Sequence, residues 1–237
     1  MNSHPASIFD SAYKALVIGA SGAIGSAFVQ AFQADTHCLH VQAVARSDGS
    51  GFDLLDPKSI EKQALICSAL GPYQIIVEAT GALTIGGTGP EKSLAQLDPT
   101  ALMRNFEINA IGPILALRHF APLLASGPSI YAKLSARVGS ISDNQKGGWY
   151  GYRASKAALN MLLQTAAIEL QRKNSQSQVV ALQPGTVKSA LSKPFASSVS
   201  QLLESHESVA GMLAALRGLT PKVGAHFLDY RGEVIAW

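Results

Sequence analysis

Charge is scarce in this chain: Asp, Glu, Lys and Arg make up only 15% of its 237 residues, against 47% apolar ones. That balance excludes a disordered or acidic tail-like protein, because enough apolar surface is present to offset chain entropy in a folded core. No basic run stands among the 19 Lys and Arg and the net charge of +3 is mild, so nothing indicates a nucleic-acid surface. Cysteine is nearly absent. Cys38 and Cys67 are too few for a disulfide framework, lack metal-ligand spacing and read as two small apolar residues of the interior. The six histidines show no metal spacing either, and His119 reads as a packing or surface residue. No apolar run approaches the roughly 20 residues of a membrane span. The polar, proline-containing stretch Met1–Tyr13 lacks the apolar segment of a signal peptide. The expectation is a protein of the reducing cytoplasm, without nucleic-acid, membrane or metal partners.

What is present is an alternation of short apolar runs with amphipathic stretches, the sequence form of successive βαβ units. Strands are expected at Ala15–Ile18, Leu39–Ala45, Gly51–Leu54, Gln74–Ala79, Ser129–Leu134, Val179–Leu182 and His226–Asp229. Helices are expected at Ala23–Gln33, from Asp56-Pro57, from Asp98-Pro99 to Leu124 with a bend at Pro113, at Tyr150–Lys173 and around Val199–Leu216. The length suits one large domain. The implied fold is α/β: a single-domain, Rossmann-type doubly wound parallel sheet flanked by helices, over residues 14–237 behind a tail of residues 1–13.

The first expected strand runs into Gly19-Ala20-Ser21-Gly22-Ala23-Ile24-Gly25 and then a helix. A pyrophosphate needs exposed backbone N–H groups, close backbone approach and a positive helix end, and small residues at a strand-to-helix turn supply all three. Gly19, Ser21, Gly22, Ile24 and Gly25 are therefore candidate cofactor-binding residues. Where an NAD-binding chain often places Asp or Glu after the second strand, this one has Arg46, a fork of donors suited to a 2′-phosphate, so NADP(H) is favoured over NAD(H). Tyr152 and Lys156 stand at i, i+4 on an expected helix, so phenol and ammonium share one face. A nearby cation favours the phenolate, and a tyrosine so tuned can hand a proton to a carbonyl oxygen.

With Tyr152-x-x-x-Lys156 downstream of the glycine turn, the chain resembles the short-chain dehydrogenase/reductase family from about Lys14 to Trp237. Segments 139–144 and 148–150 and the ending from Asp229 to Trp237 resemble its C-factor-like branch. The resemblance implies that Asn109, in Ile108-Asn109-Ala110, holds a proton-relay water and that Asp53 touches adenine. It further implies that Gly81, Lys156, Pro184-Gly185 and Ser189 line the nicotinamide half of the cofactor. A small carbonyl or alcohol substrate and a homodimer or homotetramer paired through the Tyr150–Lys173 helix are also implied.

Three departures from the family pattern stand out. Ile18 and Ala23 replace a Thr and a Gly of the glycine turn. The family's Asn-Asn-Ala-Gly after the fourth strand is Glu78-Ala79-Thr80-Gly81 here, so the support of the central sheet must differ. Counting back from Gly139, the position of the usual substrate-binding serine holds Ala136. Ser140 in the following loop and Ser135, which strand alternation turns to the other face from Ala136, are the two candidates to replace it. The reading is an NADPH-dependent carbonyl reductase with Tyr152 as general acid. The alternative is a dinucleotide-binding signalling or redox-sensing protein with weak or no catalysis.

Overall fold

The apolar runs assemble into one parallel sheet, seen in a computed structural model that describes residues 7–46, 49, 51–87, 89–189 and 202–237. Its strands are β1 (Tyr13–Ile18), β2 (Cys38–Val44), β3 (Ile75–Glu78), β4 (Ser129–Leu134), β5 (Ser177–Gln183) and β6 (His226–Asp229), in the order β2-β1-β3-β4-β5-β6. The helices are α1 (Ala23–Ala34), α2 (Pro57–Ser68), α3 (Pro99–Phe106), α4 (Gly112–Phe120), α5 (Tyr150–Lys173) and α6 (Ser205–Arg217). Because strand side chains alternate, each central strand feeds two cores. Ala15, Val17, Ile75, Val77, Ala132 and Val180 meet α1 and α6. Leu16, Ile18, Ile76, Tyr131, Val179 and Ala181 meet α2, α4 and α5. The doubly wound α/β expectation holds. The crevice of such a fold opens where the strand order reverses, between the carboxyl ends of β1 and β3.

Local sequence explains the helix starts. Asp56 and Asp98 accept from the backbone of Lys58 and Ala101, each followed by a proline whose missing N–H costs nothing in a first helical turn. Glu204 and Glu207 form a capping box that opens α6. The helix therefore begins later than the expected Val199; residues 199–201 lie outside the described residues.

Four other expectations differ. Gly51–Leu54 is not a strand: Gly51 takes a φ of +73°, and the Ser59 hydroxyl bonds both Gly51 O and the Asp53 N–H. With those backbone groups spent on the first turn of α2, β2 forms the sheet edge among the described residues. The long helix expected to bend at Pro113 is instead interrupted just before it. Glu107–Ile111 is a π-helical turn closed by Gly112 N–H onto Glu107 O, one residue wider than an α-turn. Pro113 cannot donate to Asn109 O, so a change of register at that point forfeits little. Ile8 and Phe9, within the expected tail, are buried under α1 and α6, and the chain is already in β1 at Tyr13. Finally, Cys67 is buried in the core as expected, but Cys38 is partly exposed, its thiol on His40 O.

Candidate functional site

At the strand reversal lies a cleft of about 340 Å³, bordered by Gly19, Ser21, Arg46, Asp53, Gly81 and Arg104 among others. The turn after β1 is fixed to the end of β2 by Gly19 and Ala20 N–H groups on Val44 O. Gly19 is left-handed (φ +87°), and a Cβ on Gly25 would lie 2.1 Å from Gly19 O. Close packing of α1 against this turn therefore demands glycine at 25. Gly22 caps α1 without a side-chain bond, leaving first-turn N–H groups open at the cleft. An uncapped helix start beside a cleft with two arginines on its border fits a dinucleotide pyrophosphate. Ser21 and Gly22 are exposed, Ile24 is half-buried against the α1/α6 core, and Arg46 is exposed at the end of β2. Asp53 uses one carboxylate oxygen to accept from Leu55 N–H, which holds it at the cleft wall.

The reaction-centre candidates meet at the far side of Gly81. Asn109, fully buried on the π-helical turn, bonds both backbone groups of Ala82: its Oδ1 accepts from Ala82 N–H at 2.9 Å and its Nδ2 donates to Ala82 O at 2.8 Å. Gly81 sits so close that a Cβ there would lie 3.2 Å from Asn109 Oδ1 and 3.4 Å from Lys156 Nζ. Lys156 donates to Leu134 O at 3.3 Å and lies 5.8 Å from the centre of the Tyr152 ring. Burial, with Lys133 nearby, brings its ammonium down to about 7. Tyr152 behaves differently from the expectation that its lysine lowers it: burial pushes the phenol up to about 12. Helix α5 starts at a left-handed Trp149 (φ 55°), and the buried Glu91 accepts from Gly151 N–H and, through its backbone, from Trp149 N–H. Glu91 thus sets the helix start that carries Tyr152.

Neither serine candidate stands free. Ser135 Oγ donates to Asn160 Oδ1 at 2.6 Å, one turn beyond Lys156 and inside the core. Ser140 is buried in its own loop, accepting from Asp143 N–H at 3.1 Å and 3.3 Å from Ser142 Oγ. Gly139 explains that loop's closeness, since a Cβ there would lie 2.9 Å from the Lys156 backbone. Pro184-Gly185 is clamped by Ser208 Oγ on Pro184 O, with Gly185 at φ +75° under Tyr230. Ser189 is half-buried at the end of a described stretch.

Sequence reasoning missed a buried ion pair and its partners at the ends of β3 and β4. Glu78 and Lys133 are register partners whose charges meet at 3.1 Å with no exposed surface. Tyr131 OH and Thr80 Oγ1 donate to the two Glu78 oxygens, while Lys133 Nζ donates to Thr80 O at 2.6 Å. This is the different support of the central sheet that Glu78-Ala79-Thr80-Gly81 calls for. The signal was available: Lys133 and Glu78 are charges at buried positions of otherwise apolar strands.

The family model described as short chain dehydrogenase matches residues 49–199. Among curated proteins, the C-signal of Myxococcus xanthus is 33% identical over 168 residues, covering 70% of this chain and 94% of that protein. The 1-hydroxy-2-glutathionyl-2-methyl-3-butene dehydrogenase of Rhodococcus sp. strain AD45 is 30% identical over 187 residues, 79% of each chain. Among solved structures, the NADPH-bound carbonyl reductase from chicken fatty liver superposes with a TM-score of 0.82 at 24% identity, covering 96% of this chain and 95% of that one. The carbonyl reductase Sniffer of D. melanogaster gives 0.82 at 20% identity, covering 95% and 100%.

Proposed function

The chain belongs to the short-chain dehydrogenase family of NAD(P)-dependent oxidoreductases, and from that premise we propose that it reduces a small carbonyl compound to an alcohol, with NADP(H) favoured over NAD(H). The observation that carries this reading is the convergence of Tyr152, Lys156 and Asn109 around Gly81, at the inner end of a cleft that begins at an uncapped helix start. Ser21, Gly22 and the first turn of α1 would hold the pyrophosphate, Arg46 a 2′-phosphate and Asp53 the adenine side. Gly81, Pro184-Gly185 and Ser189 would border the nicotinamide half, whose chemistry is hydride donation to a carbonyl carbon.

Tyr152 then acts as general acid. A phenol held up to about 12 is protonated at neutral pH, the form that can donate to a carbonyl oxygen. Lys156, close to Gly81, would hold the nicotinamide ribose and, when charged, favour the departing proton. Asn109 has its side chain committed to Ala82, and Pro113 has no N–H to give to its backbone carbonyl, which would anchor a water that returns the proton. Ser140 is the favoured partner for the substrate oxygen over Ser135, whose hydroxyl is spent on Asn160. The exposed Met161 and Ile168 on α5 would pack in a homodimer or homotetramer. Two carbonyl reductases with this fold, one of them NADPH-bound, support the direction and the cofactor.

The test is a fluorescence titration with NADPH and with NADH, followed by turnover on a carbonyl panel. Tighter NADPH binding and turnover that Tyr152→Phe cuts by about two orders of magnitude or more are expected. Equal or NADH-favoured binding removes the role of Arg46, retained turnover in Tyr152→Phe removes its role as acid, and binding without any turnover leaves a dinucleotide-binding sensor.

A further inference from the structure

The buried Glu78–Lys133 pair lies next to the reaction centre, and its arrangement has the marks of more than sheet support. Both side chains project from the face of β3 and β4 that also carries Ile76 and Tyr131, the face covered by α4 and α5. The Lys133 ammonium holds Thr80 O at 2.6 Å and Thr80 Oγ1 at 2.9 Å. The next residue, Gly81, has Lys156 Nζ close enough that a Cβ would meet it at 3.4 Å. Lys156 in turn donates to the carbonyl of Leu134, the residue after Lys133. The two ammonium groups therefore flank the same short strand exit, one bound to the carbonyl of residue 80 and the other packed on residue 81.

We propose that Lys133 is a positioning residue for the reaction centre, acting on Lys156 through its charge across the Thr80–Gly81 turn, with Glu78 setting how much of that charge Lys156 feels. The inference rests on the reading of Lys156 as a reaction-centre residue. Among the described residues, the groups that face Lys156 are few. Tyr152 lies on its own helix, Lys133 on β4 and Glu78 on β3 with Tyr131 on its carboxylate. The π-helical turn presents the uncharged Asn109, and the turn after β4 presents Gly139. Like charges in a site closed to water repel with little screening, so a second buried ammonium favours the neutral amine at Lys156. Glu78, paired with Lys133, opposes that effect and is the weaker of the two influences. The result is a lysine that exchanges its proton near neutrality rather than one that is charged throughout.

The charge signs make the test directional. Removing Lys133 takes away the repulsion whether Glu78 stays ionised or picks up a proton, so Lys156 must titrate at higher pH. Removing both charges together must also move it up, since Lys133 is the stronger influence. The full chain is labelled with 13C,15N-lysine, the Lys156 side-chain signals are assigned with Lys156→Met, and their shifts are followed against pH without cofactor. In wild type the midpoint is expected near 7. Lys133→Met, and the double variant Glu78→Gln/Lys133→Met that leaves no unpaired buried charge, should each raise it by roughly half a pH unit or more. Tyr131→Phe, which removes a hydroxyl from the same cluster without changing charge, should leave it in place. An unchanged midpoint in both lysine variants, or an equal rise in Tyr131→Phe, overturns the proposal and leaves the pair a purely structural device. Full turnover in Tyr152→Phe would overturn the assigned reaction while leaving this titration result intact, so the two failures are distinguishable.

Discussion

The exits of β1 and β3 stand side by side at the strand reversal, yet they are built on opposite principles. After β1 the chain turns on glycine and small residues: Gly19 takes a left-handed φ, Gly25 packs on its carbonyl, and Val44 O takes the N–H groups of Gly19 and Ala20. After β3 the chain turns on a buried ion pair: Glu78, Lys133, Thr80 and Tyr131 satisfy one another with no exposed surface on either charge. The first exit tolerates no side chain at position 25, where α1 packs on Gly19 O. The second tolerates no change of charge. A buried pair is not in itself a source of stability, since two desolvated ions roughly cancel their attraction, but half of one is costly.

The comparison can be broken most severely on the ionic side. Glu78→Leu should lower stability by about 3–5 kcal/mol by stranding Lys133, whereas Glu78→Leu/Lys133→Met should recover most of that, as denaturant midpoints at constant slope would show. Gly25→Ala comes next, with roughly 1–3 kcal/mol lost to overpacking, because its methyl carbon would sit 2.1 Å from Gly19 O. Dinucleotide affinity should fall in that variant even at temperatures where the fold holds. A third variant sharpens the contrast through pH. Between about 7 and the ordinary lysine value of 10.5, the unfolded chain keeps a proton on Lys156 that the folded chain has released, so stability should rise with pH across that window. Lysine 133, lowered by burial, acts in the same sense. Unfolding free energies at a series of pH values should show a shallower rise in Lys156→Met and an unaltered one in Gly25→Ala, whose exit holds no titratable group.

Much of this architecture was legible in the residues. Six of the seven expected strands formed among the described residues, because an apolar run such as Ile75-Ile76-Val77 has no other way to hide both faces. The stretch from Gly51 to Leu54 misled for a physical reason. Phe52 is buried like a strand residue, but the backbone around it is claimed by the Ser59 hydroxyl, a contact that apolar pattern does not encode. In the candidate site, Tyr152, Lys156, Asn109 and Gly81 are brought together as their spacing and the family resemblance imply. Their electrostatics could not be read, because the Tyr152 phenol is governed by burial rather than by its lysine. The ion pair was visible only as an anomaly, a Lys and a Glu inside buried strands, whose meeting depended on the register of β3 against β4. The surroundings of the two serines were not legible either: Ser140 folds into its own turn, and Ser135 bonds Asn160 of α5.

The widened turn at Glu107–Ile111 has a consequence for how this chain can vary. An α-helix advances by about 100° per residue, so α3 and α4 are held out of phase by a single surplus residue. Deleting Ile111 would let the two segments fuse into one regular helix. Everything on one side would then turn by that angle relative to the other, so that Asn109 could no longer meet Ala82 while Ala116, Leu117 and Phe120 of α4 keep their places in the core. Length, at this one position, is as much a part of the site as the identity of any side chain. A relative that shortened the segment would need a different residue to do what Asn109 does.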